Sequence, residues 1–169
     1  TDFSCTAAQS ALTGTLESLP STLETFTVQY GNTISGSIEN LPASLTYFRI
    51  EGSNVVSGSI AGLPSGCTYM NVQGSNTLSG DIADLNSGVF YFYAGGSLNT
   101  VTSATGVWGG RSTNVNFVRI RGAGMTEAQV DNVLLAWSTI TSWAGSKFAA
   151  VDGNNPPPSA TGLTYRDTI

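Results

Sequence analysis

Three tyrosines recur at one spacing. Tyr47, Tyr69 and Tyr91 stand 22 residues apart in the matching contexts SLTYFRI, GCTYMNV and GVFYFYA. Thr25, Phe117 and Phe148 hold the same place in flanking segments. Two residues further along, each segment reads in turn Thr27, Arg49, Asn71, Tyr93, Arg119 and Ala150, and two beyond that Gln29, Glu51, Gln73, Gly95, Arg121 and Asp152. Aromatic rings with guanidinium groups beside them are the chemistry of recognition. Rings stack on sugar faces or on a partner's apolar side chains, and arginines orient the partner. The candidate contact residues are therefore Tyr47, Arg49, Tyr69, Tyr91, Tyr93, Phe117, Arg119 and Arg121. The same ladder also reads as sheet reinforcement, at ~0.2–1 kcal/mol per cross-strand pair. Copying whole blocks duplicates an aromatic whether or not it is used.

Catalytic arrangements are hard to assemble from this chain. It contains no histidine, which removes the usual general base, the usual triads and most zinc sites. Glycoside hydrolysis needs two carboxyl groups ~5–9.5 Å apart. Glu51 and Asp152 sit about four repeats apart, ~19 Å at the usual strand spacing, and Glu24 and Glu51 lie at opposite ends of their strands. Asp152-Gly153-Asn154-Asn155 lacks the further carboxylates a hard cation wants. No glycine loop of the phosphate-cradling type opens a helix. The reading is a non-enzymatic protein with no metal and no cofactor.

The elements that must position the rings follow from the repeat. Blocks beginning at residues 13, 35, 57 and 79 match one another, as in SGSIENLPASLTYFRIEGSNVV and SGSIAGLPSGCTYMNVQGSNTL. Each contains LxxLxLxxxN: Leu23, Phe26, Val28, Asn32; Leu45, Phe48, Ile50, Asn54; Cys67, Met70, Val72, Asn76. Later copies hold Val89, Phe92 and Ala94, then Val115, Val118 and Ile120, then Ala149, Val151 and Asn155. Alternation makes the marked residues core and the intervening ones exposed, and the asparagine bonds to backbone at a corner of the coil. The other half-block, SGSIxxLP, points Leu16, Ile38, Ile60 and Ile82 inward, with Leu19, Leu41, Leu63 and Leu85. Gly14, Gly36, Gly58 and Gly80 fit a sharp change of direction where a Cβ would clash. One repeat cannot bury its own apolar face, so stacking makes the core.

A period of 20–29 residues with this phase resembles the leucine-rich-repeat family over about residues 13 to 155. The resemblance implies a solenoid: a leucine-rich-repeat-like coil stack of about 22-residue repeats, with a parallel β-sheet on its concave face carrying the rings. The SGSIxxLP half resembles the convex side of plant-type and bacterial repeats. After residue 100 the period breaks. Thr126 and Gln129 form a capping box, and Val130, Val133, Leu134 and Trp137 make one apolar helical face. A helix on a lengthened repeat is what an end cap looks like. The pattern of Thr126, Val130, Asp131, Leu134, Leu135, Gly153, Asn154, Asn155, Pro158 and Ser159 is similar to tails that close repeat arrays in bacterial surface and phage tail proteins. The expected organisation is an N-terminal partial coil (1–12), coils (13–122) and a C-terminal cap (123–169). That cap has a helix near 127–138, a last strand near 147–152 and an irregular tail.

Bulk composition bounds the partners. Of 169 residues, 10% are charged, and the net charge is −5, which argues against nucleic acid and a basic membrane-surface role. No apolar run approaches the ~18 residues of a spanning helix. Residues 1–100 hold seven acids and only Arg49 as a base; residues 101–169 hold four acids against Arg111, Arg119, Arg121, Lys147 and Arg166. An elongated stack would thus have an acidic front and a mildly basic rear. The chain opens Thr-Asp-Phe-Ser-Cys, compatible with a processed form or a piece of something longer. Low charge with abundant Ser, Thr, Asn and Gly points to an extracellular, cell-surface or virion setting. Cys67 stands in a core-leucine position, and Cys5, nearly three coils away or ~14 Å, is beyond the ~7 Å a disulfide allows. Two functions remain open. One is a module binding a protein or glycan through the aromatic face. The other is a structural subunit of a surface filament or virion, meeting copies of itself head to tail or laterally.

Overall fold

The computed structural model describes the chain except residues 7–11, 31, 97, 109–114, 123, 141–142 and 168–169, and except the side chains of residues 115 and 143–147. Arg111 lies outside the described residues, as do the side chains of Val115 and Lys147.

Two parallel sheets are built from the repeated blocks. The LxxLxLxxxN segments give β3 (Thr25–Val28), β5 (Tyr47–Ile50), β7 (Tyr69–Val72), β9 (Tyr91–Ala94), β11 (Val115–Arg121) and β12 (Trp143–Asp152), with β1 (Asp2–Cys5) ahead of them. They form one seven-stranded sheet in the order β1-β3-β5-β7-β9-β11-β12. Register follows the sequence period: Thr25, Tyr47, Tyr69, Tyr91, Phe117 and Phe148 are successive partners across it. The SGSIxxLP half, expected as the convex side, contributes a second, five-stranded sheet. Its strands are β2 (Thr13–Thr15), β4 (Thr33–Ser37), β6 (Val55–Ser59), β8 (Thr77–Asp81) and β10 (Thr100–Thr102). Serine and glycine have low strand propensity, but neighbouring blocks supply each backbone with a partner. Here Ser35 pairs with Val55 and Ser57 with Thr77, so equivalent letters are staggered by two residues rather than opposed.

Between the sheets lies the core. Leu16, Ile38, Ile60 and Ile82 are fully buried, each opening a 3₁₀ turn after the second-sheet strand. Leu23, Leu45, Cys67 and Val89 belong with Phe26, Phe48, Met70 and Phe92 to one buried cluster. Gly58 illustrates the tightness: it has φ +112, and an added Cβ would sit 2.5 Å from Ser37 Oγ of the preceding block. Gly14, expected to behave alike, has nothing within 4 Å. Cys5 on β1 and Cys67 ahead of β7 are not joined.

A row of buried asparagines seams the two sheets. The Oδ1 atoms of Asn32, Asn54, Asn76 and Asn99 accept the backbone N–H of Leu12, Ile34, Val56 and Leu78 at 2.9–3.0 Å. Asn155 does the same for Met125 at 3.0 Å. Asn99 breaks the sequence pattern, standing ten residues after Val89 instead of nine, and still reaches its rung.

Helix α1 (Glu127–Ser138) has the predicted capping box and buries Val130, Val133, Leu134, Ala136 and Trp137. The last strand is longer than expected, and the tail is not irregular: α2 (Ala160–Arg166) packs on α1. Ser159 caps it and also hydrogen-bonds the carboxylate of Asp131 through both its N–H (3.0 Å) and its hydroxyl. Gly162 is required there, since a Cβ would overlap Asp131. No described helix is long and apolar enough to cross a membrane.

Candidate functional site

Alternation along four-residue strands sends Phe48, Met70 and Phe92 down and Tyr47, Tyr69 and Tyr91 outward. Register then sets the rings side by side. Centroids are 4.1 Å apart for Tyr47–Tyr69, 4.2 Å for Tyr69–Tyr91, 4.4 Å for Tyr91–Phe117 and 4.5 Å for Phe117–Phe148, all within 13° of parallel. The five rings form one continuous stack, ending on Thr25 at one side and on Phe148, 42% exposed, at the other.

This geometry changes what the row offers. Tyr69, Tyr91 and Phe117 have both faces covered by neighbouring rings, so the flat surfaces expected to receive sugars are occupied. Solvent meets ring edges and phenol oxygens instead. Desolvation within the stack is the largest influence pushing the Tyr47, Tyr69 and Tyr91 phenols above their ordinary value. The row is accordingly neutral near pH 7.

The second row is less available than its alternation implies. Arg49 donates from Nε and Nη2 to Glu51 Oε1 at 2.7 Å. Glu51 also accepts from Gln29 and Asn71 at 3.3 Å, so Arg49 belongs to a closed polar cluster. Tyr93, expected as a surface contact, is only 7% exposed. Gly95 leaves room beneath it, and the Arg119 guanidinium lies 5.2 Å from its ring centroid, a cation–π contact. Arg119 is in turn held by Asp152 through Nε at 2.9 Å and through Nη2. That bond is the main cause holding the Arg119 pKa above its ordinary value. Arg121 is the most open of the three guanidiniums, with its side chain 56% exposed and Nε 3.9 Å from Asp152 Oδ1.

Two features escaped the sequence reading. Phe3 on β1 stacks on Phe26 at 5.4 Å and begins a second aromatic row, continuing to Phe48 at 6.0 Å. Its place in register with Phe26 could not be read because β1 carries no copy of the motif. The other is a groove of about 410 Å³ at the C-terminal ends of the strands, whose walls include Gln73, Tyr93, Arg121 and Asn154. The signal for it was present as the glycine that interrupts the Gln29, Glu51, Gln73 series. Among the described residues no three His, Cys, Asp or Glu side chains gather to hold a metal.

Comparison of the chain with protein-family models, with curated proteins and with solved structures gives no match.

Proposed function

We propose that this chain is a solenoid of the leucine-rich-repeat type and a non-enzymatic recognition domain of an extracellular, cell-surface or virion protein. It binds a protein or glycan partner along the outward face of the seven-stranded sheet. One observation supports this above the others: five rings stand in an unbroken outward row across five strands. Large aromatic side chains at the surface are what interfaces enrich. The partner meets ring edges and the hydroxyls of Tyr47, Tyr69 and Tyr91, with Phe117 and Phe148 extending the row. Arg49, Arg119 and Tyr93 stiffen the adjacent row, and Arg121 reaches solvent.

Replacing Tyr47, Tyr69 and Tyr91 together by phenylalanine tests this cleanly. The stack and fold persist while the hydroxyls are lost. Binding to host-surface and glycan panels should fall several-fold, and unchanged binding by the folded variant would remove the reading.

A second reading, a self-assembling structural subunit, draws on the two end strands of the long sheet and on Phe3, which is 38% exposed at one of them. Exposed strand edges pair readily. Sizing at several salt concentrations separates the two, because a strict monomer throughout excludes self-assembly.

A further inference from the structure

We propose that the groove walled by Gln73, Tyr93, Arg121 and Asn154 is a binding site for a sugar bearing a carboxylate. This rests on the recognition reading above and names its ligand class. The groove lies at the C-terminal ends of β7, β9, β11 and β12, against Tyr93, and its volume of about 410 Å³ is in the range of small-molecule sites.

It exists because the repeat departs from itself. The row that holds Gln29, Glu51 and Gln73 reaches Gly95 and loses its side chain. A Cβ at Gly95 would meet the Tyr93 ring at 3.0 Å, so any other residue would push that ring aside and fill the space. The floor is bare backbone: at Gly153, φ +84, an added Cβ would be 2.8 Å from Gly122 N. The stack is a copied feature, whereas in the row Gln29, Glu51, Gln73, Gly95, Arg121, Asp152 the side chain is missing at Gly95 alone.

Its charge selects the ligand. Arg119 is satisfied by Asp152, leaving two guanidiniums against one carboxylate. Arg121 shares that one carboxylate at long range, its Nε 3.9 Å from Asp152 Oδ1, which has no hydrogen-bond partner among the described residues. Its 56% exposed guanidinium therefore keeps its N–H groups open to a second carboxylate. A planar guanidinium pairs with carboxylate through two parallel N–H···O bonds. Around it, the side-chain amides of Gln73 and Asn154 can each donate and accept, which suits vicinal hydroxyls. A neutral sugar would leave Arg121 unused. Among the described walls, an acidic peptide would find for its apolar side chains only the Tyr93 ring, which is 7% exposed. With the faces of Tyr69 and Tyr91 covered, the row offers a glycan edges and hydroxyls, and the groove adds a concave seat for one acidic sugar unit of it.

The test is a nuclear magnetic resonance titration of the intact ¹⁵N-labelled chain with sodium glucuronate, N-acetylneuraminate, glucose and hexaglutamate. One or both acidic sugars should shift the amides of Gly95, Gly96, Gly122 and Gly153 saturably. Glucose should bind at least about tenfold more weakly, and Arg121→Gln should weaken the acidic sugar about tenfold, the effect of losing a charged hydrogen bond. Asn154→Ala, on an exposed loop, gives a second variant with a several-fold loss. The tyrosine-to-phenylalanine triple variant should retain the groove shifts, so this proposal and the face reading fail separately. No saturable shift at those amides with either acidic sugar, equal affinity in Arg121→Gln, or tighter binding of hexaglutamate there would overturn it.

Discussion

The rings of Tyr69 and Tyr91 lie 4.2 Å apart and 13° from parallel, so each covers a face of the other. A pair so placed couples energetically beyond the area it buries, by about 0.5–1.5 kcal/mol. A double-mutant cycle with Tyr69→Ala and Tyr91→Ala, followed by urea denaturation, should return a coupling of that size. Tyr69→Ala should cost more than Tyr47→Ala, because Tyr69 has a ring on each side and Tyr47 has Thr25 on one. Additive single effects would mean that the rings merely sit together.

Alkaline pH should act on the same row. Burial within the stack raises the pKa values of Tyr47, Tyr69 and Tyr91 in the folded chain. For groups shifted upward, the stabilisation is complete below the unfolded value of ~10 and is lost as pH rises through the folded values. Absorbance titration at the phenolate band should show these three ionising after free tyrosine, and thermal stability should drop across the same interval. The triple phenylalanine variant should lose both effects. Ionisation of all three with an ordinary profile would contradict the packing described.

How far the sequence carried depended on whether a feature was periodic. Tyr47, Tyr69 and Tyr91 could be placed beside one another because register in the long sheet equals the 22-residue period. The burial of Leu16, Ile38 and Ile60 followed from the same phase. Tyr93 could not be read correctly: alternation points it outward, and lateral packing against Arg119, Phe117 and Gly95 covers it. The second sheet was hidden because Ser35, Gly36 and Ser37 pair through backbone geometry that stacking imposes, not through propensity. Asn99 was missed for a one-residue insertion that the loop before it absorbs. The tail helix was passed over although Asp131 and Ser159, the residues that pin it, had both been noticed.

The asparagine seam should be costly to break at its middle. Asn54 Oδ1 accepts the buried N–H of Ile34 at 2.9 Å, and among the described residues its Nδ2 has no partner. The acceptor is therefore what matters. Asn54→Ala leaves a backbone donor unsatisfied inside the stack and should destabilise the chain by about 1–3 kcal/mol. Equilibrium denaturation measures this. A loss below a few tenths would mean that water reaches the Ile34 amide.

Two glycines of the same array should respond very differently to alanine. Gly74 has φ +131, and a Cβ there would lie 2.5 Å from Gly52 O. Gly74→Ala combines left-handed strain with a backbone clash that no rotamer relieves, and should cost about 2 kcal/mol or more. Gly66 meets only Thr46 Cγ2 at 4.0 Å, so Gly66→Ala should be close to neutral. Melting temperatures of the two variants decide it, and similar losses would show that neighbouring blocks do not approach at Gly74 as described.

Cys67 reports on whether the stack opens. It replaces a core leucine, is fully buried, and its thiol donates to Tyr69 O at 3.4 Å. Burial pushes its pKa up to about 12, so at pH 8 the reactive thiolate is scarce and the sulfur is also shielded. The sign is that of a raised group: its contribution to stability is intact below the unfolded value of ~8.5 and is lost as pH climbs towards 12. In a Cys5→Ser background, where Cys67 is the sole cysteine, a thiol reagent at pH 8 should label native protein orders of magnitude more slowly than urea-unfolded protein. The native rate should rise with urea in parallel with unfolding of the sheets. Rapid labelling without denaturant would show that the segment leading into β7 opens locally, and with it the ring row at Tyr69.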